Sequence, residues 1–349
     1  MKKHKSLLTL LIATISTIGL ISVTPTAASA AYSFDVISDT HIGPDDDPSP
    51  NGAFHPNANL NTTFESIKNN IKNGKYKNEQ CIVINGDVVD NSQQSSYNKL
   101  YNIVNQQKDG LPYIYFNIGN HEYDANPYVQ PNIIEDFHTG LNRFNSNTNN
   151  IRKLLSANTK GKVTDTDRDN SYDIQYINNK NDRLLFLGTD EIPTNPCAAY
   201  LNPDTQLNWL QGRIQDNTNE GGDSKKPMFI FLHQPLYQTT YGSTFDDWGY
   251  LYPNNTTYVK QWLTGHPEIV VFTGHTHEQF KENDEWNSDN FFSLGDNSAS
   301  IFNVPSIGND SGKGPQGYHI TVYSDGIVVT GVRYTNAGCQ IVNTRTVDF

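Results

Sequence analysis

Five short apolar runs in this chain each end in residues able to bind metal. Phe34–Ser38 is followed by Asp39-Thr40-His41, and Cys81–Asn85 by Gly86-Asp87-Val88-Val89-Asp90. Tyr113–Ile118 leads into Gly119-Asn120-His121-Glu122, Met228–Leu232 into His233, and Glu268–Thr273 into Gly274-His275-Thr276-His277. Carboxylate, amide and neutral imidazole donors suit divalent ions such as Mn²⁺, Fe²⁺ or Zn²⁺. So many donors, with a carboxylate able to bridge, exceed what one ion takes. Two ions ~3.5–4 Å apart, sharing an aspartate and a water, accommodate them all. Such a pair brings the pKa of the shared water towards neutrality and clamps a phosphoryl oxygen for in-line attack, which is phosphoester hydrolysis. Alone, Asp39, Asp87 or Asn120 reads equally well as a strand-end turn residue, and His233 as a core histidine. Five such stops in sequence order do not.

These donors need a scaffold that brings five strand ends together. Buried strands of an α/β sheet read as continuous apolar runs, and ligands collect outside their carboxyl ends. Helical patterns lie at Leu60–Lys72, Ser95–Asn105, Arg143–Ser156, Pro203–Gln215 and Thr257–Thr264. Asn202 is placed to cap the fourth, with Pro203 in its first turn. Asp173–Tyr176 and Arg183–Leu187 read as further strands. Tyr318–Tyr323 and Ile327–Tyr334 read as a hairpin around Ser324-Asp325-Gly326, forming an antiparallel edge on the same core. No repeat or linker divides the chain. The long polar connections Gly43–Asn59 and Gln238–Asn255 are expected to be functional or mobile.

The first residues carry Lys2, Lys3 and Lys5, an apolar stretch from Leu7 to about Val23, and then Ala28-Ser29-Ala30. That pattern predicts a secretory signal peptide over residues 1–30, leaving residues 31–349 as a single exported domain with no stable membrane insertion. The formal charge is −12, and loss of a lysine-bearing, acid-free leader makes the remainder more acidic still. Such a surface disfavours nonspecific binding to nucleic acid or anionic membrane. Of the three cysteines, Cys81 reads as a small core residue. Cys197 and Cys339 lie in loop-like contexts where a disulfide could form.

Taken in order, Asp-x-His, Gly-Asp-x-x-Asp, Gly-Asn-His-Glu, His and Gly-His-x-His resemble the calcineurin-like metallophosphoesterase family, and within it the exported bacterial, cyclic-nucleotide phosphodiesterase-like group. The motifs span residues 39 to 277. The resemblance implies a four-layer α/β/β/α sandwich with the metals at one sheet edge. It implies that Asp39, His41 and His277 hold one ion, that Asn120, His233 and His275 hold the other, and that Asp87 bridges both. His121 is then the general acid for the leaving oxygen, and Asp90 its hydrogen-bonding support. Asp90 occupies the position where purple acid phosphatases carry tyrosine, so a purple Fe³⁺ site is not expected. Asn91-Ser92 stands where protein Ser/Thr phosphatases carry Arg-Gly, which disfavours tight binding of a phosphoprotein dianion.

The implied substrate is a small-molecule phosphoester, such as a nucleotide or an envelope phosphodiester. Diester hydrolysis is the first expectation. Monoester or nucleotide hydrolysis is the alternative, and a non-catalytic envelope-associated binding protein of the same fold is a weaker one. Tyr237, Tyr241, Phe245, Trp248, Tyr250, Tyr252 and Tyr258 follow His233 closely. They either wall a pocket for an organic group or pack their loop onto the sheet. His138, His266 and His319 are expected in structural or surface roles, His55 is not expected to line the pocket, and Asp45-Asp46-Asp47 reads as a solvated acidic loop.

Overall fold

In a computed structural model, the five site-bearing runs are strands whose residues are buried throughout. They are β1 (Tyr32–Ile37), β2 (Glu79–Asn85), β3 (Tyr113–Asn117), β6 (Met228–Leu232) and β7 (Ile269–Thr273). The structure describes residues 30–43, 45–46, 52, 54–123, 137–158, 170–177, 182–217, 226–281 and 289–349. The predicted leader lies outside the described residues apart from Ala30. Among the described residues, no helix is long and apolar enough to cross a membrane.

The remaining strands are β4 (Asp173–Ile177), β5 (Asp182–Leu187), β8 (Phe291–Ser293), β9 (Ser300–Asn303), β10 (Gln316–Val322), β11 (Gly326–Thr335) and β12 (Gly338–Asp348). Two six-stranded sheets result, ordered β12-β11-β10-β1-β2-β3 and β4-β5-β6-β7-β9-β8. β1, β2 and β3 run parallel, as do β5, β6, β7 and β9. The predicted hairpin is β10–β11, and it joins the first sheet by antiparallel pairing with β1.

Alternation along each strand builds the layers. Phe34 meets Phe229 edge-on between the sheets, with ring centroids 4.8 Å apart, and Phe186, Phe231 and Phe272 stack along the second sheet. The opposite faces of β5, β6 and β7, including Leu185, Ile230 and Val271, pack on Leu210, Ile214, Val259 and Leu263. Those come from α4 (Asn208–Asp216) and α5 (Pro253–Leu263). The first sheet is covered by α1 (Pro56–Lys72), α2 (Gln94–Gln107) and α3 (Phe137–Leu154). Sheets buried on both faces explain the unbroken apolar runs, each buried Phe contributing about 1.5–3 kcal/mol.

Several elements differ from expectation. α3 begins at Phe137, not Arg143, because Phe137, Gly140 and Leu141 extend the buried stripe of Phe144 and Ile151. The expected helix from Pro203 opens with a π-helical turn, Pro203–Leu207, before α4; Asn202 does cap it, its side chain accepting from the Asp204 N–H at 2.9 Å. β12, absent from the sequence reading, is a half-exposed edge strand with polar residues on both faces. The three cysteines form no disulfide. Cys339 Sγ sits 3.3 Å from Ser66 Oγ on α1, whereas Cys197 lines a cavity with His275 and Trp248, so the disulfide left open by the sequence does not form.

Two asparagines fasten the sheets together below the donor-bearing loops. Asn117 Nδ2 donates to Asn85 Oδ1 (3.1 Å) and to the carbonyls of Leu187 (3.0 Å) and Phe231 (3.2 Å) in the opposite sheet. Asn85 Nδ2 donates to the Phe272 carbonyl at 3.2 Å. Both residues are fully buried.

Candidate metal centre

At the carboxyl ends of β1, β2, β3, β6 and β7 the chain turns sharply, and the turns after β1, β2 and β7 are strained. Asp39, His41, Asp87, His275 and His277 all adopt left-handed φ, between 46° and 72°. Non-glycine residues held there cost on the order of 1–3 kcal/mol each, so the surroundings must impose the conformation. The Asp39 N–H donates to the Gly86 carbonyl (3.1 Å) and the His41 N–H to the Asp87 carbonyl (3.0 Å). Ser306 Oγ donates to the Asp39 carbonyl at 3.0 Å. Glu122, fully buried, accepts from the N–H groups of Asp87 (3.0 Å), Val88 (2.8 Å), Val89 (3.1 Å) and Gly119 (2.6 Å). Its carboxylate thus shapes the turn that carries Asp87. Sequence reasoning gave Glu122 no role beyond membership of its motif.

The side chains converge on one point. His277 Nε2 lies 2.9 Å from His41 Nε2 and 3.1 Å from Asp39 Oδ1. Asp87 Oδ2 lies 3.0 Å from His233 Nε2, 3.9 Å from His121 Nε2 and 4.0 Å from His41 Nε2. Asp39, His41, Asp87 and His277 form one potential metal cluster, and Asp87, His233 and His275 a second. Asn120 lines the same cavity of about 390 Å³ as Asp87, His121, His275 and His277. The donors come from both sheets, so the site occupies their shared carboxyl edge and not the edge of one sheet.

Partners on the far nitrogens fix the rings. His233 Nδ1 bonds the Asn85 carbonyl at 2.8 Å, which turns Nε2 to Asp87. His275 Nε2 contacts the Trp248 carbonyl, leaving Nδ1 as the available donor. Carbonyl partners of this kind orient metal-binding imidazoles. His121 Nδ1 bonds Asp90 at 2.6 Å, through the main-chain carbonyl and not the carboxylate; the Asp90 carboxylate stands 3.7 Å from His41 Nδ1.

The donor set fits divalent cations. Asn120 Oδ1 is buried and makes no hydrogen bond, an expense a metal removes. Burial alone would raise the Asp39 and Asp87 carboxyls, but His233, aided by His277 at Asp39 and by His121 at Asp87, outweighs it and holds both well below the usual range. Burial disfavours the His233 cation too, yet Asp87 and Asp39 push its pKa up to about 10. His275 goes the other way, down to about 4, through burial and the His233 charge. Without metal, a proton on His233 supplies part of the positive charge the carboxylates require, and metal uptake displaces it.

Glycines let these turns close. A Cβ at Gly119 would lie 2.2 Å from Asp87 Oδ1, and one at Gly86 2.5 Å from the His233 ring.

The other candidates lie apart. His266 Nδ1 bonds Glu268 at 2.9 Å, His138 packs on Phe137, and His55 Nδ1 stands 3.9 Å from Asp310. Asp46 accepts from the Asn57 and Ala58 N–H groups at 2.8 and 3.1 Å, tying the acidic loop to the start of α1. Asp47 lies outside the described residues. Trp248 borders the cavity and joins Tyr241 and Phe245 in an exposed edge-on cluster. Tyr250 instead packs on Tyr237 and donates to Asp246 Oδ1 at 2.7 Å.

A fold of two sheets with Asp, Asn and His donors at their shared carboxyl edge defines a metal-dependent phosphoester hydrolase. The chain belongs to the calcineurin-like phosphoesterase family, whose model matches residues 32–279. Among solved structures it is similar to a dimetal phosphatase from Danio rerio, at 12% identity and TM-score 0.57, covering 92% of this chain and 99% of that one. It is also similar to a purple acid phosphatase from yellow lupin seeds, at 12% identity and TM-score 0.51, covering 91% of this chain and 53% of the lupin chain. At such identities the likeness is one of fold. No curated protein is similar enough in sequence to match the chain.

Proposed function

We propose that the chain is a dinuclear phosphodiesterase acting outside the membrane. The observation that carries the diester reading is the charge of the cavity. Among the described residues lining it there is no Lys or Arg, while Asp247 and Glu278 are present. A monoester dianion would meet these acids with no side-chain cation beyond the histidines; a diester carries one negative charge fewer. Trp248 at the rim offers an aromatic face to the organic group, and stacking of a base is worth ~1–3 kcal/mol.

In this reading Asp39, His41 and His277 hold one divalent ion, Asn120, His233 and His275 the other, and Asp87 both. Mn²⁺, Fe²⁺ and Zn²⁺ all suit these donors. When bound, the ions supply Lewis acidity at the phosphoryl oxygen and a nucleophile from water near neutral pH. Asp87 Oδ1 accepts the His121 N–H at 3.0 Å, which seats the acid beside the bridging carboxylate. His121 Nε2, with Nδ1 committed to the Asp90 carbonyl, delivers the proton to the leaving oxygen.

The test is hydrolysis of bis-p-nitrophenyl phosphate against p-nitrophenyl phosphate after chelation and re-addition of each metal. A higher kcat/KM for the diester supports the proposal, and preference for the monoester overturns it in favour of a phosphatase or nucleotidase. Trp248→Ala is expected to raise KM for a nucleotide diester about 5- to 160-fold with metal content unchanged; unaltered kinetics would remove Trp248 from the substrate site. Export rests on the leader. A chain recovered from the medium that begins at Ala31 is the expected product, and one retaining Met1 would contradict it.

A further inference from the structure

A second set of metal-type donors lies away from the catalytic edge, on the α1 side of the first sheet. Asp35, Glu79 and His319 come from β1, β2 and β10. The ladders pair Asp35 with His319 and Ser33 with Glu79, while Phe34, between Ser33 and Asp35, points to Phe229 in the other sheet. Asp35 precedes Asp39 by four residues, on the order of 13 Å along an extended strand. Asp35 is wholly buried and His319 is 8% exposed. The three donors form a potential metal cluster.

The His319–Asp35 separation is that of ligands and not of hydrogen-bonded partners, and Glu79 stands slightly farther out. His319 Nδ1 lies 3.5 Å from Asp35 Oδ2 and 3.9 Å from Glu79 Oε2. An N–H···O bond is ~2.9–3.0 Å, whereas donors ~2.0–2.2 Å from a tetrahedral ion stand roughly 3.3–3.6 Å from one another. Asp35 Oδ2 and His319 Nδ1 are buried without a hydrogen bond, which is destabilising unless something completes them.

Surrounding contacts hold the donors in place. Tyr334 donates to Asp35 Oδ1 at 3.2 Å, and Ser33 Oγ donates to Glu79 Oε2. The Tyr76 ring stacks on His319, with centroids 3.5 Å apart and planes 7° from parallel. A cavity of about 480 Å³, bordered by Ser33, Lys75, Lys77 and Thr321, reaches His319. It supplies an entry path and room for a water as fourth ligand.

We propose that Asp35, Glu79 and His319 form a third divalent-metal site of zinc-type N/O chemistry, separate from the catalytic pair. A bound ion there pins β1, β2 and β10 to one another and has no part in hydrolysis. The competing occupant is a proton, with His319 as an imidazolium between two carboxylates.

The experiment is metal counting on the whole exported chain, loaded with Zn²⁺ and gel-filtered, for the wild type, His319→Gln and Asp35→Asn. Three ions in the wild type and two in each variant, with ester hydrolysis retained as the sign of an intact catalytic pair, is the expected result. Two ions in the wild type, or three in His319→Gln, overturns the proposal and leaves the protonated triad. Should the variants not fold, anomalous scattering at the zinc edge from wild-type crystals decides it. A peak among Asp35, Glu79 and His319 is expected, and its absence from crystals with zinc at the catalytic pair rejects the site.

Discussion

Asp87→Ala is expected to lower kcat/KM for phosphodiester by at least ~10³-fold and to reduce bound metal below two per chain. Among the described residues Asp87 belongs to both of the donor clusters at this edge, and it stands against three histidines. Asp87 Oδ2 is 3.0 Å from His233 Nε2 and within 4.0 Å of both His41 and His121, while Oδ1 takes the His121 N–H. The lost electrostatic stabilisation is several kcal/mol, and each 1.36 kcal/mol is tenfold in rate. Metal analysis beside initial rates checks it. A variant that keeps two ions and wild-type turnover would remove Asp87 from the bridging position. Chelation of the wild type should reproduce the loss reversibly, with proton uptake as His233 regains its proton.

His121→Ala has a different signature. Metal content is expected to stay at two while kcat falls about 10²–10⁴-fold, the range for loss of a general acid. Burial lowers the His121 pKa, but the facing Asp87 charge and the Asp90 carbonyl more than reverse that and raise it. A raised pKa favours the protonated acid, so the wild-type rate should fall as pH rises through that value. The variant should lose this alkaline limb. The substrate decides how much is seen, because a p-nitrophenolate leaves without help and an alkyl alcohol does not. Equal loss of metal in His121→Ala would reassign the residue from acid to ligand.

The parts of the fold legible in the sequence share one physical cause. β1, β2, β3, β6 and β7 are sealed on both faces, so each reads as an apolar run with polar residues at its stop. β12 carries Gln340, Asn343, Thr344 and Arg345 on a half-exposed edge, and no periodicity announces such a strand. Glu122 sits in plain view in Gly119-Asn120-His121-Glu122, but its work is to gather four main-chain N–H groups, which only the folded turn presents. A buried carboxylate three residues after a strand-end glycine is the signal that could have raised it. Asp90 lies beside His121, but the bond runs through its main-chain carbonyl, which no side-chain motif announces. Asp35 and His319 become neighbours only through the β1–β10 register, a pairing far outside any sequence window.

The cross-sheet bonds of Asn85 and Asn117 tie the site to the docking of the two sheets. Neither sheet owns a complete donor set: Asp39, His41, Asp87 and Asn120 follow strands of one, and His233, His275 and His277 strands of the other. Hydrolytic power therefore belongs to the closed sandwich alone. A chain whose two sheets have not docked cannot attack the phosphoesters around it, and catalytic competence requires that long-range contact.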